Sequence, residues 1–301
     1  MNLQLSDLRT PSSWALGLIL LSFPLQAQQV TPGAYSFETF DVPGAVSTEP
    51  SDLDKHGNVV GYSVDAAGET TGFLLEDGVF TPFNLPGATE TTILGMNDRG
   101  DLVGDFEQGD DKLRGWILLD DELTIIDLPG SDLNEAVDIN DKGQVVGFTR
   151  DTNDLRRGFF WDDGTLLLFD HPNAGPMGTR FSAINKKGVI AGFYFDASGV
   201  PHGFVLSNGV YTDIDFPGAL GTFVGDVNKK GNSVIGGFVD PQTFQFRGFI
   251  QDKNGNFTTI DFPGSAGTIT PRFSKDGTVL GSWIDPQDPN VSHGFLATPL
   301  H

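Results

Sequence analysis

The chain has 301 residues, of which 38% are hydrophobic and 19% charged, so it holds enough apolar material for a substantial core. Its 40 acidic and 18 basic residues give a formal net charge of -22, which argues against nucleic acid and anionic lipid surfaces as partners. Frequent Gly (39), Pro (18) and Phe (25) favour many short strands joined by tight turns, and the absence of cysteine excludes disulfides.

The N-terminal segment, MNLQLSDLRTPSSWALGLILLSFPLQAQQ, places Arg9 before an apolar run at residues 14–25 and a small residue, Ala27, at a suitable cleavage position. This pattern is typical of a secretory signal peptide, because the run falls short of the roughly 20 residues that a transmembrane helix needs. We therefore predict that residues 1–27 are a signal peptide, that no membrane span remains, and that the mature protein is secreted or periplasmic.

A proline-containing phrase then recurs six times along the chain. Its copies read FDVPG, FNLPG, IDLPG, FDHPN, IDFPG and IDFPG, and their prolines are spaced 43, 43, 43, 45 and 46 residues apart. Four-stranded propeller blades are about 40 to 50 residues long. Because Pro fixes φ and lacks an N–H donor, and Gly permits a sharp turn, the phrase predicts the joint between one blade and the next.

Two further phrases are in register with the first. A polar turn closed by Gly, such as NDRG at 97–100, precedes a short apolar strand and predicts a hairpin. A Gly-aromatic pair, such as Gly115-Trp116, marks a third strand, and an alternating strand ends the unit at the proline phrase. Each repeat therefore holds four strands, which we call A to D in chain order.

The count of strands predicts an all-β fold, a six-bladed β-propeller with four antiparallel strands per blade in a single domain of residues 28–301. The last repeat has no fourth strand, whereas residues 34–42 have the alternation of a D strand. We predict that this N-terminal strand completes the last blade, since two unpaired ends would expose sheet edges. The predicted blades span about residues 46–85, 89–128, 132–169, 177–216, 220–262 and 266–298 plus 34–42.

Read as N-x-x-G-x-V-V-G, [HR]-G-F and T-x-I-D-x-P-G-A, these phrases resemble the bacterial extracellular HAF-repeat family. The nearest matches to the family's core are His202-Gly203-Phe204 and His293-Gly294-Phe295, with Gly in place of the middle Ala throughout. The resemblance covers residues 34–301. It implies an exported protein of repeat architecture, and because the family brings no established reaction, no catalytic residue is carried over.

Basic side chains recur just before the Gly-aromatic pair, on the face that carries the D-to-A crossings and the B-to-C hairpins. They are Arg114, Arg157, His202, Arg247 and His293. An acid follows strand B in each repeat, as Asp65, Glu107, Asp151, Asp196, Asp240 and Asp285. We expect these acids and bases to form cross-strand ion pairs, or side-chain bonds to the turn, that set the hairpin register. The functional alternative is a ring of bases that holds a carboxylate or an array of sugar hydroxyls.

The fourth crossing, DHPNAGPMGTR at residues 170–180, is two residues longer than its neighbours and adds His171 and Arg180. A loop that departs from the repeat is a natural place for a specific contact, so both join the candidate ligand-binding residues. A threonine recurs at the start of strand A, and we expect it to cap the crossing. These threonines are Thr48, Thr91, Thr179, Thr222 and Thr268, with Asn134 in the remaining blade.

The sequence contains no HExxH, no GxSxG elbow and no glycine-rich phosphate loop. We predict a monomeric, non-enzymatic module, without cofactor or metal, that binds a glycan or protein ligand on the face of the D-to-A and B-to-C loops. The alternative is a calcium-dependent hydrolase of lactonase type with an axial site. For that site strand A offers the carboxylates of Glu49, Asp52, Glu135, Asp138 and Asp226.

Overall fold

The computed structural model describes residues 30–274 and 277–300, so the predicted signal peptide lies outside the described residues. Twenty-five β-strands in this part of the chain form six sheets, antiparallel except where β1 joins the fifth, that follow one another in sequence around a ring. The protein is thus a six-bladed β-propeller, as its repeats predict. No helix in the described ranges is long and apolar enough to cross a membrane.

The first three blades each use four consecutive strands. Blade one contains β3 (Ser47–Leu53), β4 (Val59–Val64), β5 (Thr70–Glu76) and β6 (Val79–Phe83). Blade two contains β7 (Glu90–Met96), β8 (Leu102–Glu107), β9 (Arg114–Leu119) and β10 (Glu122–Ile126). Blade three contains β11 (Ser131–Ile139), β12 (Val145–Asp151), β13 (Arg156–Asp162) and β14 (Thr165–Phe169).

Blades five and six also take strands from the N-terminal part of the chain. Blade four contains β15 (Thr179–Ile184), β16 (Ile190–Phe195), β17 (Pro201–Ser207) and β18 (Val210–Ile214). Blade five contains β19 (Thr222–Val227), β20 (Val234–Val239), β21 (Phe246–Gln251), β22 (Phe257–Ile260) and β1 (Val30–Pro32). Blade six contains β23 (Gly267–Phe273), β24 (Val279–Ile284), β25 (Ser292–Pro299) and β2 (Tyr35–Phe40).

The ring closes as predicted, because β2 pairs antiparallel with β25. Tyr35 lies opposite Pro299 and Phe40 opposite Gly294. The ring of Phe37 packs edge-on against Phe295, at 5.4 Å between centroids, and against Phe262 of the neighbouring blade, at 5.2 Å. The strand β2 therefore stabilises the last blade through both backbone pairing and aromatic packing.

The short strand β1 is a feature that the repeat pattern does not predict. It runs parallel to β22 on the outer edge of blade five, with Val30 opposite Phe257. The Gly33 N–H extends the contact by donating to the Thr259 carbonyl at 2.8 Å. Blade five consequently has five strands, and β1 covers the edge of β22 that would otherwise be open.

In every blade, the position in strand B that glycine occupies has no room for a side chain. Strand A carries a bulge or other register irregularity, and a Cβ at the strand B glycine would collide with a carbonyl oxygen of that strand, as at Gly147 beneath Glu135. The aromatic residue of strand C then packs in the space over the glycine. These fully buried aromatics are Phe73, Trp116, Phe159, Phe204, Phe249 and Phe295.

The D-to-A crossings are fastened by the threonines of strand A, which confirms their predicted capping role. In each case the threonine hydroxyl accepts a backbone N–H from the residue before the phrase's proline. The pairs are Thr48 with Val42 (3.0 Å), Thr91 with Leu85 (3.1 Å), Thr179 with His171 (2.8 Å), Thr222 with Phe216 (2.9 Å) and Thr268 with Phe262 (2.9 Å). All five side chains belong to buried residues.

Candidate functional site

We call the face of the D-to-A crossings and B-to-C hairpins the crossing face, and the opposite face the turn face. On the crossing face, each of the five recurring bases contacts the aspartate of a proline phrase, the three arginines as ion pairs and the two histidines through a ring nitrogen within hydrogen-bond distance. The pairs are Arg114–Asp127 (3.3 Å), Arg157–Asp170 (2.8 Å), His202–Asp215 (2.9 Å), Arg247–Asp261 (3.0 Å) and His293–Asp41 (3.0 Å).

The predicted partner, the acid after strand B, also lies within 4 Å of its base in blades four to six. The distances are 3.7 Å from Asp196 to His202, 3.2 Å from Asp240 to Arg247 and 3.9 Å from Asp285 to His293. In blade three the acid takes the second of the two predicted roles, a side-chain bond to the turn. Asp151 accepts the N–H groups of Asn153 and Leu155 and so caps its own hairpin turn. Arg157 instead meets Asp170, since strand pairing sets Gly158 opposite Phe169 and brings their chain neighbours together.

These ion pairs change what the ring of bases offers a ligand. The hydrogen bond from Arg114 lowers the pKa of Asp110 to about 2, and hydrogen bonds from Lys112 and Arg114 lower the pKa of Asp127. Each recurring base therefore has a carboxylate partner already. Such a pair presents N–H donors beside carboxylate acceptors, which suits hydroxyl groups better than an anionic ligand.

Stacked rings support the bases in blades four to six. The residue before the phrase's proline lies flat on a strand B ring of the next blade, and the base lies cross-strand from that ring. The stacks are His171 on Tyr194 (3.8 Å), Phe216 on Phe238 (3.7 Å) and Phe262 on Trp283 (4.7 Å). Blades one to three have smaller or fewer rings at these positions, so the two halves of the crossing face differ.

A cavity of about 370 Å³ lies beside the blade-five stack. Its walls include Phe216, Phe238, Arg247 and both acids that bind this arginine, Asp240 and Asp261. Asp261 uses Oδ2 for the ion pair, and its other oxygen, Oδ1, has no hydrogen-bond partner among the described residues. Val30 of β1 adds an apolar wall. Arg247 keeps 28% of its side chain exposed, so the group is accessible from solvent.

The two candidates from the long fourth crossing lie elsewhere. His171 is 3% exposed, stacked on Tyr194 and 3.1 Å from Asp213, and burial lowers the pKa of its imidazole. Arg180 lies in strand A of blade four, with its guanidinium 4.3 Å from the centre of the Phe148 ring. His171 thus belongs to a buried stack, and Arg180 to the channel wall formed by the innermost strands.

Three strand A carboxylates converge on the axis, where they meet Arg272 of blade six. Arg272 Nε lies 3.2 Å from Asp52, and its Nη2 lies 3.7 Å from Asp138. Burial raises the pKa of Asp52, raises that of Asp138 well above its usual range, and raises that of Asp226 to about 6. Arg272 occupies the same strand A position as the three acids, a correspondence that was available from the sequence.

These acids do not fit the calcium site of the lactonase-type alternative. Two are ion-paired to Arg272, and they also accept backbone N–H groups of neighbouring blades, from Met96 to Asp52 at 2.9 Å and from Ile184 to Asp138 at 2.7 Å. Calcium needs six to eight oxygen ligands directed at one point. Within residues 30–274 and 277–300, no group of three acidic or histidine side chains is arranged to hold a metal ion.

No family model and no curated protein matches the chain. Among solved structures, AofleA from Arthrobotrys oligospora has a TM-score of 0.56 at 11% identity, over 86% of this chain and 90% of that one. TolB from Acinetobacter baumannii gives 0.54 at 14%, over 80% and 64%, and a luciferin-regenerating enzyme gives 0.52 at 12%, over 89% and 96%. Similarity at these identities shows the fold alone, and the resemblance to HAF repeats stays a prediction.

Proposed function

We propose that the protein is an exported, monomeric and non-catalytic binding module that takes a neutral carbohydrate on its crossing face. The observation that carries this proposal is the blade-five cavity, where Arg247 lies between Asp240 and Asp261 beside the stacked rings of Phe216 and Phe238. Export is supported by the N-terminal sequence pattern and by the resemblance to HAF repeats.

The chemistry of a sugar matches this arrangement. Each hydroxyl can donate to a carboxylate and accept from a guanidinium, and the pair of Asp240 and Asp261 around Arg247 offers both partners side by side. The apolar face of a pyranose ring can lie against the aromatic and proline surfaces of the cavity, which includes Pro217 and Pro241. Small-ligand sites typically combine an apolar wall with a small number of precisely placed polar groups.

The charge of the site favours a neutral sugar over an anionic one. Arg247 faces two carboxylates, so the group as a whole is negative, and the chain carries a net charge of -22. A uronic or sialic acid would place a further carboxylate beside these acids and would be repelled.

A glycan array on the mature chain, residues 28–301, tests the proposal with two matched variants. Arg247→Met removes the central donor and keeps the length of the side chain, whereas Arg99→Met removes an exposed arginine on the turn face. We expect neutral glycans to bind, with affinity reduced about tenfold or more in Arg247→Met and unchanged in Arg99→Met. Binding to no glycan, to anionic glycans alone, or equally by both variants would overturn the proposal.

A further inference from the structure

The larger cavity, of about 480 Å³, lies around the axis on the turn face. Its wall is built from the A-to-B turns, which are tied to one another by asparagine side chains. The side-chain amides of Asn97, Asn140 and Asn185 donate to the main-chain carbonyl of the next blade's turn, at 3.1, 3.1 and 2.9 Å. This chain of bonds makes the cavity a preformed feature of the ring, on the face opposite the proposed carbohydrate site.

The charges that line this cavity are divided between its two sides. Blades one to three contribute carboxylates, and blades four to six contribute three lysines and an arginine, with the carboxylate of Asp226 as the exception. The acidic side consists of Asp52, Asp98, Asp138 and Asp141, and the basic side of Lys186, Lys229, Lys230 and Arg272. The cavity therefore carries a charge separation across its width.

One ion pair spans the mouth from side to side. Lys229 Nζ of blade five lies 3.5 Å from Asp98 Oδ2 of blade two, and in a ring of six these blades stand opposite each other. Half of the Lys229 side chain is exposed, and such exposed pairs contribute little to stability. A ligand that supplies both charges can therefore replace this contact at small cost.

Further charged groups at the rim have no ionic partner in the described part of the chain. Lys186 and Lys230 have no carboxylate within ion-pair distance there, and the Asp141 carboxylate accepts the Asp98 N–H at 3.1 Å but meets no cation. A carboxylate ligand would find Lys186, Lys229 and Lys230 together on one side. An ammonium ligand would find Asp98 and Asp141 together on the other.

We propose that this cavity binds a small zwitterion, a short peptide with both termini free, across the axis of the turn face. Its ammonium group lies against Asp98 and Asp141, its carboxylate lies against Lys186 and Lys229, and its binding breaks the Lys229–Asp98 contact. The volume of about 480 Å³ falls within the range of small-ligand sites. A ligand of one charge alone would satisfy half of the rim and would face repulsion from the other half.

Isothermal titration calorimetry with trialanine, against N-acetyl-trialanine amide as its uncharged counterpart, tests the proposal. Asp141→Asn keeps an oxygen for the Asp98 N–H and removes the charge, and Lys186→Met removes one cation. Lys142→Met, which changes an exposed lysine outside the cavity, is the control, and circular dichroism verifies that each variant is folded. We expect trialanine to bind with a Kd below about 1 mM, and each cavity variant to weaken it about tenfold.

The blocked peptide should not bind, and Arg247→Met on the other face should bind trialanine as the wild type does. The proposal would be overturned by absence of saturable trialanine binding up to about 10 mM. Equal binding of the blocked peptide would overturn it too, as would unchanged affinity in both folded cavity variants.

Discussion

Arg272 is the side chain on which the axial cluster depends. It is 5% exposed and faces Asp52 and Asp138, which are themselves buried. Removing one partner from a buried ion pair leaves an uncompensated charge, so we expect Arg272→Met to lower the free energy of unfolding by about 3–5 kcal/mol. Urea unfolding at pH 7 measures this. Arg157→Met is the control, and we expect a loss of about 0–1 kcal/mol there because both partners are exposed. Equal losses in the two variants would contradict the role given to Arg272.

Glu135, in strand A of blade three, leads us to expect that stability depends on pH. Burial raises the pKa of its carboxyl to about 7, against the opposing influence of Arg180, Arg150 and Arg156. A raised pKa means that the folded state holds a proton which the unfolded state releases, so stability is present below about pH 4.5 and lost as pH rises through about 7.

The variant Glu135→Gln isolates this contribution. We expect the wild type to lose up to roughly 3 kcal/mol, relative to Glu135→Gln, between pH 4.5 and pH 8. Unfolding free energies of both proteins across that range measure the difference. A constant difference at all pH values would show that Glu135 titrates alike in the folded and unfolded chains.

The capping threonines provide a test of the crossings. Thr222→Val keeps the shape of the side chain and leaves the Phe216 N–H without its acceptor, which lies at 2.9 Å in the wild type. Because both groups are buried, we expect a loss of about 1–3 kcal/mol in thermal or urea unfolding. Thr212→Val, an exposed threonine in strand D of blade four, should change stability by less than about 0.5 kcal/mol. An unchanged stability in Thr222→Val would show that this hydrogen bond does not stabilise the crossing.

At the scale of elements, ring closure through β2 is open to a direct test. Deleting residues 28–42 removes the strand that pairs with β25 from Tyr35 to Phe40. We expect amide hydrogen exchange to accelerate first in Ser292–Pro299, more than 250 residues away in sequence, because those N–H groups lose their partners. Unchanged protection in that strand, with an unchanged unfolding temperature, would contradict the closure.

Elements that repeat could be predicted from the sequence, and contacts between repeats largely could not. The proline phrase and the threonine caps recur in register, so their roles followed from position. The strand β1 has no counterpart in other repeats, and three residues carry too little periodicity to indicate a partner. The sequence predicts the aspartate of the phrase only as part of a joint, because its pairing with Arg157 or Arg247 depends on how strand D lies beside strand C.

At the scale of the whole molecule, the sequence predicts which loops lie on each face of the propeller, but it does not predict where the cavities lie. The cavity of about 480 Å³ lies on the turn face and the cavity of about 370 Å³ on the crossing face, and each is lined by side chains from more than one repeat. The contacts of Arg272 with Asp52 and Asp138 could not be predicted either, because the three residues come together only when the six blades are arranged in a ring.

The measurement that tests the crossing-face proposal most directly is a crystal structure of the mature protein soaked with the neutral glycan that gives the strongest array signal. We predict density for a sugar ring in the blade-five cavity, with hydroxyls within hydrogen-bond distance of Arg247 and Asp261 and one ring face against the apolar wall. Sugar density on the turn face, or on the crossing face away from every pair of base and aspartate, would contradict it.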